Sequence, residues 1–263
     1  MISISLKNSR NQVVMFPDDD TQFQLVSVSG LDPVQANLNL SNVVGVDGSR
    51  FISSKLTNRN IVILVQVNGD AEENRRRLYG RFPPKEKVHI IITEVNRDVY
   101  IDGIVESLSC NVFQNGMKAQ ISIICPDPYF KSKNDATEVD AEPDWRTGTV
   151  DFTFKYDGEA PAYLKAVLQF NNYITLLRLE GPDGKLEFNY NMTDIDRITI
   201  DCEAKTAILR KTDTTEINLI PFMTADSEFI RIPVGTSHLV MTVNPNLPPF
   251  GASMRYRPLY GGI

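Results

Sequence analysis

The chain is short of the residues on which most enzymatic and metal chemistry depends. It has two histidines, His89 and His238, and neither has an HxxxH partner or nearby carboxylates at ligand spacing, so a metal site gains no support. The three cysteines, Cys110, Cys125 and Cys202, are odd in number and widely spread, with no CxxC. That argues against a disulfide framework and fits synthesis in a reducing cytoplasm. There is no GxSxG and no GxxxxGK, and Ser29-Gly30 reads as part of a turn. No apolar run approaches the ~20 residues needed to cross a bilayer, so no membrane insertion is expected. Met1-Ile2-Ser3-Ile4 lacks the basic start and long apolar run of a signal peptide. An excess of positive charge is missing as well. Lys and Arg number 27 against 33 Asp and Glu, a net charge of −6, which argues against DNA as a tightly held ligand. The balance suits a particle that DNA slides past, and equally suits a protein whose charge serves only solubility.

What is present is ordinary globular material: 263 residues, 42% hydrophobic and 23% charged, enough for two small domains with separate cores. The first, residues 1–130, reads as β-rich with one helix. Phe23–Val28 and Val34–Leu40 alternate weakly, and Ile61–Val67 is a continuous apolar run suited to a strand buried on both faces. Asn68-Gly69 turns the chain into a helix in which Asp70 is the N-cap and Glu73 completes a capping box. Ala71, Leu78 and Phe82 share one face, and Pro83-Pro84 ends the helix. Beyond it, Asn115-Gly116 is the preferred pair for a type I′ hairpin turn. Placed at the tip, it sets Leu108 opposite Ile123, Cys110 opposite Ile121 and Cys125 opposite Glu106, which disfavours a Cys110–Cys125 bridge.

Pro126-Asp127-Pro128 stops the hairpin strand, and 131–148 is polar, acidic and read as a linker. Its Trp145, the only tryptophan, is read as a packing anchor at the domain border. From 149 to 250 the pattern is all-β at sandwich spacing. Val150, Phe152, Phe154 and Tyr156 alternate with Asp151, Thr153 and Lys155, and further short strands run to Leu239–Val243. The closing segment, 251–263, is rich in Gly and aromatics and is expected to dock on its own or a neighbouring subunit.

Two features invite a functional reading. The clustered acids Asp194, Asp196, Asp201 and Glu203 would make a glycosidase only if two faced each other across a groove; on β-turns such acids are usually solvated. The basic run Arg75, Arg76 and Arg77, with Arg81, Lys85 and Lys87, is either a solvated helix face backed by Glu72–Arg76 and Glu73–Arg77 pairs or a subunit contact. In the second case it would meet Asp18-Asp19-Asp20 or Asp47 of the next copy.

Four blocks recur in a recognisable order: GVDGSRF (Gly45–Phe51), LTNRNIVI (Leu56–Ile63), NRRRLYGRF (Asn74–Phe82) and ISIICPDPYF (Ile121–Phe130). Together they resemble the N-terminal domain of phage distal tail proteins, the siphovirus tail component family. The resemblance continues more loosely through ITIDCEAKTAIL (Ile198–Leu209) and RIPVGTSHLVMTV (Arg231–Val243). It implies a mainly β fold, a tail-tube-like split barrel or sandwich with one helix followed by a galectin-like β-sandwich, and a structural, non-enzymatic role without cofactors. It further implies a hexameric ring at the virion tail tip that joins the tail tube to the tail-associated hub or lysin protein. That ring would carry receptor-binding or baseplate proteins and leave a channel for DNA and the tape measure protein. In the family the segment after GVDGSRF reaches around the ring. Gly45–Arg59 is therefore read as an inter-subunit arm in preference to a local turn, and the candidate interface residues are Asp47, Arg50, Phe51, Arg59, Arg75, Arg76, Arg77 and Arg81. The rival from another class is a carbohydrate-binding sandwich module, although galectin-type spacing of His, Asn, Arg and Trp is not found.

Overall fold

Alternation of buried and exposed side chains runs through nearly every strand and decides which face of each sheet carries a core. The computed structural model describes residues 2–16, 22–42, 44–45, 47–94, 97–111, 116–134, 136–140, 147–170, 173–244 and 251–263. The chain divides into two compact units, Met1–Asn134 with Tyr260–Ile263, and Asp135–Leu259.

Unit 1 comprises β1 (Ser3–Asn8), β2 (Val13–Phe16), β3 (Phe23–Ser29), β4 (Ala36–Asn42), β5 (Ser49–Leu56), β6 (Arg59–Val67), α1 (Ala71–Arg81), β7 (Lys87–Thr93), β8 (Asp98–Asn111), β9 (Lys118–Cys125) and β10 (Phe130–Ser132). Its main sheet is antiparallel in the order β2-β1-β7-β8-β9-β6-β3, with β10 added to β8. The sheet curls until its edges meet, and the rings of Phe16 on β2 and Phe23 on β3 stand edge to face at 6.0 Å. The core inside holds Ile4, Leu6, Ile61, Ile63, Val65, Ile90, Ile92, Ile121 and Ile123. Leu78 of α1 and Phe82 are fully buried in it. The helix is capped as its sequence predicts, with the Asp70 carboxylate accepting from the Glu73 N–H at 3.1 Å. Ile61–Val67 is a strand, but only one of its faces is fully buried: Val62, Leu64 and Gln66 on the other are partly exposed.

The β8–β9 hairpin departs from expectation in register. Leu108 pairs with Ile121, Cys110 with Ala119 and Ser109 with Gln120, two residues from the pairing that an Asn115-Gly116 tip imposes. A shift of two preserves the side-chain period, so the inward and outward faces survive. The tip residues 112–115 lie outside the described part. Further along, a bulge between Val105 and Ser107 resets the pairing again, and Cys125 lies beside Gly103 instead of Glu106. A Cβ on Gly103 would stand 2.5 Å from Ile123 Cγ2 and 2.9 Å from Cys125 Sγ, which is why glycine occupies that position.

Unit 2 comprises β11 (Thr137–Asp140), β12 (Thr149–Tyr156), β13 (Ala162–Tyr163), β14 (Lys165–Gln169), β15 (Ile174–Gly181), β16 (Gly184–Met192), β17 (Ile195–Asp201), β18 (Thr206–Lys211), β19 (Glu216–Asn218), β20 (Arg231–Ile232), β21 (Gly235–Val243) and β22 (Gly251–Tyr256); β23 (Leu259–Tyr260) leads out of it. A sheet ordered β11-β22-β14-β17-β18-β19 faces a second ordered β12-β21-β15-β16. This is a β-sandwich. Its core takes Phe152, Phe154, Leu179, Phe188 and Met241 from one sheet, and Leu168, Ile198, Ile200, Leu209 and Met254 from the other. The segment read as a linker contributes β10 and β11, and its Trp145 lies outside the described residues. Of the closing segment, β22 is an interior strand of the larger sheet, while Tyr260–Ile263 belongs to unit 1.

Arg59 corrects the sequence reading. It heads β6 in the inward phase of the alternation and is 1% exposed. Its Nε donates to Pro128 O at 2.8 Å, Nη1 to Gly30 O and Asp32 O at 2.5 and 2.7 Å, and Nη2 to Gly261 O at 2.5 Å. The guanidinium also lies 4.2 Å from the Phe130 ring centroid. Four of its five N–H donors bond carbonyls of its own chain, so it is a core tie and not a surface contact. One acceptor depends on Gly30, whose φ is +87°. A Cβ at that position would stand 1.9 Å from Asn60 O, so no other residue fits without a backbone shift.

Replacing Arg59 by Met keeps the volume but orphans these carbonyls. The expected cost is about 3 kcal/mol or more in denaturant unfolding, from the loss of several charge-assisted hydrogen bonds. Native amide exchange should also quicken at Ile263, whose N–H donates to Leu31 O at 3.1 Å.

Candidate functional site

The β4–β5 ribbon is the most exposed element of unit 1. Ala36–Asn42 pairs with Ser49–Leu56 and with no other strand, and every residue of both strands is exposed. Leu38, Leu40, Phe51 and Ile52 are each about half or more exposed, and Val44 near the tip is completely so. A two-stranded ribbon with no packed face is marginal in water, and exposed apolar side chains grouped this way mark a contact surface. Asp47 stands at the tip between Gly45 (φ 81°) and Gly48 (φ 89°). Arg50 and Phe51 follow on β5, opposite Ser41 and Leu40. GVDGSRF is thus both a turn, by its glycines, and the end of an uncovered ribbon.

The basic helix is divided in its commitments. Glu72 pairs with Arg75 and, at 3.5 Å, with Arg76. Arg77 turns away from Glu73 and donates to Gln22 Oε1 at 2.9 Å, and Arg81 reaches Val13 O at 3.3 Å. Those two fasten the helix to neighbouring segments, whereas the Arg76 side chain is 75% exposed. The ribbon and the helix are therefore separate surface features of unit 1, and Arg59 belongs to neither. The parity of β6 carried the signal for Arg59, because positions 59, 61, 63, 65 and 67 all point inward.

A groove of about 600 Å³ opens over β1, β7 and β8, a feature that sequence reasoning did not find. His89 lies in it, its Nδ1 2.7 Å from Asp102 Oδ1 and its ring 4.7 Å from Tyr100. His238 stands on β21 with Nδ1 3.2 Å from Asp151. The acids of unit 2 do not converge. Asp201 accepts from the Glu203 and Ala204 N–H groups and from Lys165 Nζ, Asp196 lies 3.9 Å from Arg210, and Asp194 occupies a turn at φ 56°. Among the described residues no three His, Cys, Asp or Glu side chains are grouped to hold a metal, and no helix is long and apolar enough to cross a membrane. Burial pushes the Cys125 and Cys202 thiols up to about 12 and raises Cys110 as well. This is opposite to the activation a nucleophilic thiol needs.

Two family models match the chain. The phage tail protein RIFT-related domain covers residues 18–125, and the siphovirus-type tail component C-terminal domain covers 157–260. The chain is a siphovirus-type phage distal tail protein. A comparison with curated protein sequences finds no match. Among solved structures, the distal tail protein is similar in fold to phage SPP1 Dit, described as a paradigm of the hub adsorption apparatus in phages infecting Gram-positive hosts. The TM-score is 0.71 at 15% identity, covering 97% of this chain and 98% of that one. It is also similar to a chain of the phage P2 baseplate in its activated conformation with calcium, at TM-score 0.58, 12% identity and full coverage of both chains. These likenesses agree with the mainly β architecture and its two units. A structural part of the virion's distal tail accounts for a chain whose distinctive surface is an unpartnered ribbon.

The thiols give a direct check on the distal tail protein. Iodoacetamide at pH 8 should modify partly exposed Cys110 first, and leave Cys125 and Cys202 intact until the protein is denatured, as read by peptide mass mapping.

Proposed function

We propose that the protein assembles into a hexameric ring at the virion tail tip, joining the tail tube to the baseplate hub. The observation that carries this reading is the β4–β5 ribbon, which exposes Leu38, Leu40, Phe51 and Ile52 without cover from the described residues. A ring uses heterologous contacts, in which one patch of each copy meets a different patch of the next. A ribbon that projects from one side suits that geometry. The ribbon is the arm, with Asp47, Arg50 and Phe51 near its end, and the exposed part of the basic helix, Arg76 above all, supplies positive charge to a neighbour. The ring carries the tail-associated hub or lysin protein and the receptor-binding or baseplate proteins, and leaves a channel for the tape measure protein and DNA. Its role is architectural and not enzymatic.

Native mass spectrometry should give about six times the 29.6 kDa subunit at high concentration. Reversing charge at Arg76 and Arg77 together should shift that population toward monomer, most strongly at low salt. Unchanged assembly would remove the helix from the interface, and a monomer at every concentration would overturn the ring as an intrinsic property of the chain.

A further inference from the structure

The groove over β1, β7 and β8 is lined by no residue of the ribbon or of the basic helix. Val88, Gly103, Ile104 and Pro126 are the apolar part of its lining, and Ile104 is 40% exposed. Its rim carries Lys7 and Lys87, neither of which makes an ion pair among the described residues. The carboxylate in the groove, Asp102, is engaged by His89. The β1–β2 turn that borders the groove is fastened to the end of α1, since Asn8 donates to Arg81 O at 3.0 Å and Arg10 to Gly80 O at 2.6 Å. Glu86 nearby is occupied by Ser9, whose N–H and hydroxyl both donate to it. The two rim lysines thus remain available, and the basic ground continues toward the C-terminal end of the helix.

We propose that this groove is the seat for the tip of the β4–β5 ribbon of a second copy, a reading that rests on the ribbon being an assembly arm. Tip and groove are complementary in three respects. Val44 is a fully exposed apolar knob, and Ile104 with Pro126 offers an apolar lining. Asp47 brings a carboxylate to a rim holding Lys7 and Lys87. Gly45 and Gly48 keep the tip narrow, because a side chain at either would face open space and widen it.

The occupant comes from another copy, because the ribbon of the same chain does not reach the groove. In its own chain the tip leaves Val44 fully exposed, and no residue of the ribbon lines the groove. Strands of seven and eight residues carry the tip roughly 23 Å from its base at about 3.3 Å per residue. A donor on one side and an acceptor on another give the head-to-tail contact from which rings close.

The test uses intact protein with Cys110→Ser as background, because Cys125 and Cys202 are buried. Val44→Cys in one preparation is mixed under oxidising conditions with Ile104→Cys in another, and separately with Val26→Cys, an exposed control on β3. A mixed disulfide between the first pair, at least tenfold above the control in peptide mapping, is the expected result. A charge swap runs in parallel. Asp47→Lys and Lys87→Asp should each weaken self-association about tenfold, and together restore it, as a directly coupled pair does. Assembly without the preferred cross-link and without rescue would overturn the groove while leaving the ring. The absence of both assembly and cross-link would overturn the arm itself, and the groove with it.

Discussion

Unit 1 depends on a buried arginine that has no carboxylate in hydrogen-bond contact among the described residues. Arg59 gathers the carbonyls of Gly30, Asp32, Pro128 and Gly261, from three stretches far apart in sequence, and places its face on Phe130. Burial holds its pKa below the ordinary value, yet a guanidinium stays charged in any protein environment. Converging backbone dipoles can satisfy such a charge, and the same arrangement would be costly with one carbonyl missing. The consequence is topological. The final residues of the chain, Gly261 by this hydrogen bond and Tyr260 by stacking 4.0 Å below Arg97, are held on the unit the chain left at Asn134. In sequence, unit 2 lies between two stretches of unit 1.

With the core so fixed, the ribbon can be spared from it. Each other strand of unit 1 contributes at least one residue to the buried interior, whereas β4 and β5 contribute none. A single chain gains little by ordering such an element, since two strands without a packed face barely offset their conformational entropy. Its apolar side chains become useful only when a second surface removes them from water. The physical logic of this distal tail protein is therefore assembly. Titratable groups are spent on turns, caps and ion pairs, and its thiols are silenced by burial.

Much of this was legible in the sequence. Alternation identified Val150–Tyr156 and the other sandwich strands, because inward positions must be apolar whatever they later touch. The helix was readable from Asp70, Glu73 and the two prolines, since capping and termination are local chemistry. GVDGSRF stood out as a glycine-rich tip for the same reason. Other elements were hidden. The pairing of β8 with β9 differs by two residues from the one a turn dipeptide suggests, and a two-residue shift leaves the hydrophobic pattern unchanged. Arg77 chose Gln22 over Glu73, a choice made by a segment 55 positions away.

The sequence by itself determined the class of fold, the helix and its ends, and the lack of any motif that would ready a nucleophile or metal, because each follows from residue type and short spacing. Only the tertiary structure decided that Arg59 is core and Arg76 surface, that the ribbon is uncovered, and that Lys7 and Lys87 share the rim of one groove. Those facts depend on which distant backbone arrives beside each side chain. Arg59 and Arg76 are the same residue type, and only their surroundings separate a buried tie from an exposed charge.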